Sequence, residues 1–289
     1  MPELRFEIDI VPPYRLRWHE HGDGPVRGMW LHARPVAIRL QQEDDDGPVT
    51  AHVASTAPLT PVADVVREAA RHMACADDAL TEFRRAVAGD PPMAALADRF
   101  PGLKPLRVLD LWTALLRALV SQQISGAAAR AIERRLAERF GERIELDGTT
   151  VHVLPDAETV ARLPVHRLAE AGLSGRKAEY TREIAEAFVS GAVSRERLLR
   201  MTPEAATAAL VDLRGVGRWT AECAAIFGLG ERDVLPANDL GVRKAVAHLY
   251  QLPSVPTEAE VRRIGERWAG WRSYAAVYLW YSLREAARA

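Results

Sequence analysis

Three sets of residues in this chain have the types and spacing to act on a ligand together. The first is the run Leu213, Arg214, Gly215, Val216, Gly217, Arg218, Trp219, Thr220, Ala221, which lies between two stretches of helical periodicity. Glycines on either side of one valine read as a tight turn between helices: glycine tolerates positive φ, and Val216 can anchor the turn in a core. Amides of such a turn, at the positive end of the following helix, can donate to a phosphate without reading any base. Arg214, Arg218 and Thr220 stand beside those amides. A helical hairpin whose glycines serve only packing would carry the same GxG.

The second set centres on Asp239, in Pro236, Ala237, Asn238, Asp239, Leu240, Gly241, at the mouth of another helical run. A helix N-terminus favours an ionised carboxylate, which suits it to stabilising positive charge. Cleavage of a glycosidic bond develops that charge on the sugar. Asn238 or Asp239 capping the helix is the plainer reading. The third set is aromatic: tryptophan and tyrosine rings could stack on a flat cationic ring, an attraction of roughly 0.5–2 kcal/mol. Trp268, Tyr278 and Trp280 lie at helical spacing and read as core.

The elements that must position these groups change character along the chain. Leu4, Phe6, Ile8 and Ile10 alternate with polar partners, as do Val36, Ile38 and Leu40, and residues 49–53 follow an acidic turn; these predict three strands of an antiparallel meander. Helical spacing begins near Thr60, with Val62, Val65, Val66 and Ala69, then Leu80, Phe83 and Val87. The breakers Gly89, Pro91, Pro92, Pro101, Gly102 and Pro105 mark a border between 88 and 105. Amphipathic runs then cover 108–120, 125–140, 176–190, 203–211, 218–228, 240–250, 258–268 and 273–287. The expected fold is α+β: an N-terminal antiparallel sheet with helices over residues 1–95, then an all-α region over 96–289, with no fixed-period repeat that would make a solenoid.

Composition narrows the function classes. With 289 residues and 48% apolar content the chain can bury a large core. No apolar run approaches membrane-spanning length and Met1 to Arg5 lack a targeting pattern, so a cytoplasmic protein is expected. Cys75 and Cys223 stand far apart, without metal-ligand spacing. Net charge is −1, but residues 1–103 hold 11 basic against 16 acidic groups and residues 104–289 hold 27 against 23. That asymmetry fits a DNA footprint in the second part or a solvated basic face equally.

The string LxGVGxxTA, with the segment that follows it, resembles the hallmark of the helix-hairpin-helix DNA glycosylases. Residues 115–125, LLRALVSQQIS, are similar to the helix and turn that the alkylpurine (3-methyladenine) branch inserts into the duplex, and Pro12, Pro13, Tyr14 and Trp18 are similar to the opening of its N-terminal domain. The resemblance implies a monomeric enzyme that flips alkylated bases such as 3-methyladenine and 7-methylguanine from damaged double-stranded DNA, with Asp239 as the catalytic carboxylate. It implies base contacts from Trp219, Trp271, Tyr274, Trp18 and Cys223, and DNA contacts from Gln123, Arg214, Gly215, Val216, Gly217, Arg218, Thr220 and Arg243. No cofactor is required, although carbonyls of Val211, Leu213 and Val216 become candidate ligands for a sodium or potassium ion at the hairpin.

Two positions depart from the family pattern. Cys223 stands where these enzymes often place a tyrosine, which should widen the base pocket, and Gln123 stands where some place an apolar wedge. Gln123 could fill the vacated stack or cap the helix, while Gln122 or Ile124 could approach the neighbouring step. Relatives that also cut the strand carry a lysine directly after the GVGR element; Trp219 occupies that place, and the only lysines are Lys104, Lys177 and Lys244. Base excision without strand cleavage is therefore expected. The competing readings are a non-catalytic sensor of damaged DNA and a strand-cleaving enzyme for oxidised or mismatched bases.

Overall fold

The computed structural model describes residues 2–19, 26–45 and 47–286, less the side chains of Arg17 and Trp18. Strands β1 (Glu3–Ile8), β2 (Val26–Leu31), β3 (Arg34–Gln42) and β4 (Val49–Ser55) form an antiparallel sheet in the order β1-β4-β3-β2. One face carries Val36, Ile38, Leu40 and Val53, which pack with Val66, Ala69, Ala70 and Met73 of α1 (Ala63–Ala74). Strand β2 is absent from the sequence-based expectation. It joins β3 through His32 and Ala33 at φ 48° and 59°, a left-handed two-residue turn made without glycine or asparagine, so the usual hairpin signal is missing.

The helices that follow are α2 (Leu80–Val87), α3 (Pro91–Arg99), α4 (Leu111–Ser121) and α5 (Gly126–Phe140). After the hairpin β5 (Glu142–Leu146) and β6 (Thr149–Val153) come α6 (Ala157–Arg162), α7 (Val165–Glu170), α8 (Gly175–Val189), α9 (Arg195–Leu198), α10 (Pro203–Val211) and α11 (Arg218–Ala224). The last three are α12 (Leu240–Leu249), α13 (Glu258–Gly265) and α14 (Arg272–Ala286). The α+β class expected from the sequence holds. The β5–β6 hairpin is a local departure inside the stretch read as all-helical. Its Asp147-Gly148 turn carries the residue signature of a two-residue hairpin, and Ile144, Leu146 and Val153 cover Ala37 and Ala54 on the sheet's second face.

Besides this small cluster on the second face of the sheet, three larger apolar clusters form. The first joins the sheet to α1 and to Leu106, Val108 and Leu109. The second runs through α4 to α11, with Leu115, Leu119, Ile184, Ala221 and Ile226 at its centre. The third joins α2 and α3 to α12, α13 and α14 through Phe83, Met93, Phe100, Trp268 and Tyr278. The border expected near residue 95 thus lies within α3, whose Met93, Leu96 and Ala97 pack with the C-terminal helices. Pro91 and Pro92, read as breakers, instead begin that helix: Asp90 caps it by accepting from the Met93 amide, and proline fits a first turn that has no amide partners to lose. No helix among the described residues is long and apolar enough to cross a membrane.

Candidate active site

The hairpin between α10 and α11 forms as its residues predict, with one difference. Gly215 has φ +88°, and a Cβ there would lie 2.3 Å from the Tyr180 ring. Val216 is buried beneath the turn, and its amide donates to the Leu213 carbonyl over 3.0 Å. Gly217 does not take the positive φ expected of it: at φ −80° it is the N-cap of α11, and the space where a Cβ would sit is open. Its lack of a side chain leaves the outer side of the turn unobstructed. Thr220 is buried, and its hydroxyl is held by the Gln122 amide at 2.7 Å.

The two hairpin arginines are at the surface and already paired. Arg214 bonds Glu183 at 2.7 Å and lies over the Tyr180 ring, while Arg218 bonds Glu222 at 2.9 Å. Glu222 is buried and shared with Arg262 at 3.0 Å; burial pushes its carboxyl up and the two guanidinium groups oppose this. Arg243 is engaged elsewhere, donating through Nε to the Pro256 carbonyl at 2.6 Å, which ties α12 to the segment before α13. After α4, Gln123 sits exposed at φ +56°, beside a partly exposed Ile124. Of the two glutamines it is therefore Gln122 that is anchored and Gln123 that projects.

Asp239 caps α12, accepting from the Val242 amide at 2.8 Å through Oδ1. Two indoles hold the same carboxylate: Trp280 Nε1 donates to Oδ1 at 2.9 Å and Trp219 Nε1 to Oδ2 at 2.8 Å. Oriented in this way, the carboxylate forms part of the wall of a cavity of about 360 Å³. Trp219, Cys223 and Phe227 line it at a spacing of four, along α11 and the π-helical turn Ala225–Leu229 that extends it. Ala114, Arg117, Ala118 and Ser121 form the facing stripe of α4, small apart from the arginine, with Arg27 reaching in from β2. Phe227 and Trp280 stack at 6.1 Å between ring centres. Burial and the neighbouring Asp239 push the Cys223 thiol well up, so it lines the cavity as a neutral group.

Four of the expected pocket residues fare differently. Trp219 and Cys223 line the cavity. Trp271 and Tyr274 do not: Trp271 packs on Phe83 and Tyr274 with the Arg232 guanidinium over its face, and the Tyr274 hydroxyl donates to Asp78 at 2.6 Å. The expected side chain of Trp18 lies outside the described residues. Trp280, read as core, takes the place proposed for Trp271. The reason is helical phase: Trp271 immediately precedes α14 and Trp280 lies nine residues further on, two and a half helical turns, so the two indoles point to opposite sides. Trp268 and Tyr278 are core as expected, donating to Asp90 at 3.1 Å and to the Phe100 carbonyl at 3.2 Å. Phe227 was accessible from its spacing with Trp219, whereas Arg27 and Arg117 carried no signal short of the tertiary fold.

Such a cavity can hold one flat ring between indole, phenyl and thiol surfaces, with a fixed carboxylate at its edge and amides of a bare hairpin nearby. Comparison with known proteins points the same way. The family model of the HhH-GPD superfamily of base excision DNA repair proteins matches residues 116–270. A DNA-3-methyladenine glycosylase of Bacillus subtilis is 34% identical over 204 residues, covering 71% of this chain and 67% of that one. The solved structure of a 3-methyladenine DNA-glycosylase from Archaeoglobus fulgidus superposes with a TM-score of 0.82 at 28% identity, over 97% of this chain and 98% of that one. A 3-methyladenine DNA glycosylase of Schizosaccharomyces pombe, solved in complex with abasic DNA, superposes with a TM-score of 0.62 at 30% identity, over 70% and 97%.

Proposed function

This chain belongs to the HhH-GPD superfamily of base excision DNA repair proteins, and we propose that it is a monofunctional glycosylase that hydrolyses the bond between deoxyribose and an alkylated purine. The observation that carries this reading is Asp239, fixed by two indole N–H groups and a helix amide at the wall of a cavity sized for one base. As the bond to the base lengthens, positive charge grows on the sugar, and a carboxylate already held in place stabilises it without reorganising. Trp219, Phe227 and Trp280 offer faces for a ring made electron-poor by alkylation, and 3-methyladenine and 7-methylguanine have that character. A non-catalytic sensor would have no use for a carboxylate held so firmly.

DNA enters the reading through the hairpin. The first-turn amides of α11, which no side chain caps, would take a phosphate, with Arg214 and Arg218 exchanging their glutamates for it. The Val211, Leu213 and Val216 carbonyls are neutral oxygen donors without an added carboxylate, a set that suits a sodium or potassium ion better than a divalent one. Such an ion would add positive charge beside the phosphate. Gln123, with Ile124 next to it, would fill the stack left by the extruded base.

The lysines support excision without strand cleavage. Lys104 is buried, with Nζ donating to the Val11 and Cys75 carbonyls; Lys177 is bonded to carbonyls at the end of α4; Lys244 is exposed on α12. None lines the cavity. The test is release of free base from methylated duplex DNA by the wild type and by Asp239→Asn, with alkali to reveal abasic sites and borohydride to trap any Schiff base. Wild-type release, a silent but DNA-binding variant, strand breaks only after alkali and no trapped adduct support the reading. Binding without release by either protein would replace it with the sensor, and a borohydride adduct would remove the claim of monofunctionality.

A further inference from the structure

The hairpin at 214–222 has a counterpart 43 residues earlier. Gly172, Leu173, Ser174, Lys177, Ala178 and Glu179 fall opposite Gly215, Val216, Gly217, Thr220, Ala221 and Glu222. The match is conformational as well. Gly172 and Gly215 have φ of +108° and +88°, Leu173 and Val216 are buried, and Ser174 and Gly217 are the N-caps of α8 and α11. The first helical bond is equivalent too: the Ala178 amide donates to Ser174 at 2.9 Å and the Ala221 amide to Gly217 at 3.0 Å. The chain therefore holds two helix-turn-helix units of one design, α7–α8 and α10–α11.

The end of α4 is held between them, and by equivalent positions. Lys177 donates through Nζ to the carbonyls of Val120 and Gln122, at 3.0 Å and 2.6 Å. From the other unit, Thr220 accepts from the Gln122 side-chain amide at 2.7 Å, and the Gly215 carbonyl accepts from the same nitrogen at 3.0 Å. Gln122 thus has its backbone tied to the first hairpin and its side chain tied to the second. A lysine at a helix C-terminus meets carbonyls that have no helical partner, at the negative end of the helix dipole. The next residue is Gln123, projecting at φ +56°.

We propose that Gln122 and Lys177 are positioning residues for base extrusion: they brace the turn 121–124 between two matched hairpins, so that Gln123 enters the duplex at a fixed distance from the phosphate held at Gly215–Thr220. This rests on the glycosylase reading above. A turn left free to move would spend part of the wedge's contact on its own ordering. The bracing matters most where the target base is well stacked and paired, and least where a mispair has already loosened it.

The test compares Lys177→Met, Lys177→Arg and Gln122→Glu with wild type on duplexes carrying one methylated purine, correctly paired or mispaired. Single-turnover base release is measured, together with the fluorescence of a 2-aminopurine beside the lesion, which rises as the stack opens. Loss of the two charge-assisted bonds from Nζ should slow release from the paired duplex at least about tenfold in Lys177→Met. Gln122→Glu, which sets an acceptor against the Gly215 carbonyl, should do at least as much. Both should blunt the fluorescence rise and slow the mispaired substrate by no more than about threefold. Lys177→Arg, still able to donate to both carbonyls, should recover most of the rate. Equal losses on both duplexes, or losses that Lys177→Arg does not recover, would show a structural role and overturn the proposal, as would variants indistinguishable from a working wild type. A wild type that releases no base would instead remove the glycosylase reading and this inference with it.

Discussion

Replacing Trp280 by phenylalanine takes one N–H away from Asp239 and keeps an aromatic ring against Phe227. The bond lost is the 2.9 Å contact to Oδ1; the Val242 amide stays on that oxygen and Trp219 stays on Oδ2. A hydrogen bond to a charged group contributes about 1.5–3 kcal/mol, and about 1.4 kcal/mol is a factor of ten in rate. If all of it served to hold the carboxylate toward the sugar, base release would fall roughly 10- to 100-fold. Trp280 and Asp239 are only half-buried, so solvent screening favours the lower end, about tenfold.

A second effect opposes the first. With one donor fewer, Oδ1 carries more negative charge and would stabilise a cationic sugar better if its position were unchanged. Single-turnover release from a duplex with one methylated purine separates the two, with Asp239→Asn as the floor and Trp219→Phe as the matching change on Oδ2. Orientation predicts a rate about tenfold lower in Trp280→Phe with DNA affinity within about threefold of wild type. A rate equal to or above wild type would show that the indole is there for packing, and the reasoning about a fixed carboxylate would fail.

Other expectations follow from single contacts. Gly215→Ala must hold a Cβ at φ +88° within 2.3 Å of Tyr180, so it should cost about 2–3 kcal/mol and lower the melting temperature by roughly 5–10 °C; a melt matching wild type would contradict the turn geometry. Cys223→Tyr should narrow the 360 Å³ cavity and slow excision of 7-methylguanine or etheno bases more than that of 3-methyladenine, read as a ratio of single-turnover rates. Because burial holds both thiols above the ordinary range, Cys75 at about 11 and Cys223 also well raised, iodoacetamide at pH 8 should label neither in the folded protein by mass spectrometry. His19 and His72 are lowered by burial to about 3, with Arg27 and Arg107 adding to the effect, so the folded protein binds their protons less readily than the unfolded chain. Stability from this source is complete above pH 6.5 and is lost as pH falls toward 3, by at most about 2 kcal/mol per histidine at pH 5; equal urea midpoints at pH 7 and pH 5 would count against it.

What could be read from the sequence was whatever lies close together along it. The hairpin string fixes its own turn, because Gly215 and Val216 need only neighbours to do their work, and Asp239 announces its helix as a cap. Alternation exposed β1, β3 and β4. Strand β2 escaped because His32 and Ala33 turn left-handed without the residues that normally announce it, and β5–β6 escaped although Asp147-Gly148 did announce it. The aromatic assignment failed for a different reason. Trp271 immediately precedes α14 and Trp280 lies on it, and periodicity tells that each is covered without telling by what. Arg243, expected among the DNA contacts, likewise gave no sign in the sequence of its carbonyl partner on Pro256.

The near-neutral charge of the chain becomes intelligible once the hairpin is considered with its acids. A protein that holds DNA by bulk attraction needs a strong positive excess, and a net charge of −1 does not provide one. Here the surface arginines nearest the turn are already matched: Arg214 to Glu183, Arg218 to Glu222. An exposed pair such as the first is worth at most about 1 kcal/mol, so it yields readily to a phosphate. Glu222 is buried, but Arg262 remains bonded to it if Arg218 turns away. Docking under the proposed function then depends on amides placed by Gly215 and Gly217 more than on net charge, and its selectivity on a cavity whose walls come from the three larger apolar clusters. Val108 and Ala114 belong to the first, while Trp280 packs against both the second and the third. Because each cluster supplies a wall, a shift of any one body relative to the others changes the fit of the base, and this ties damage recognition to the integrity of the whole fold.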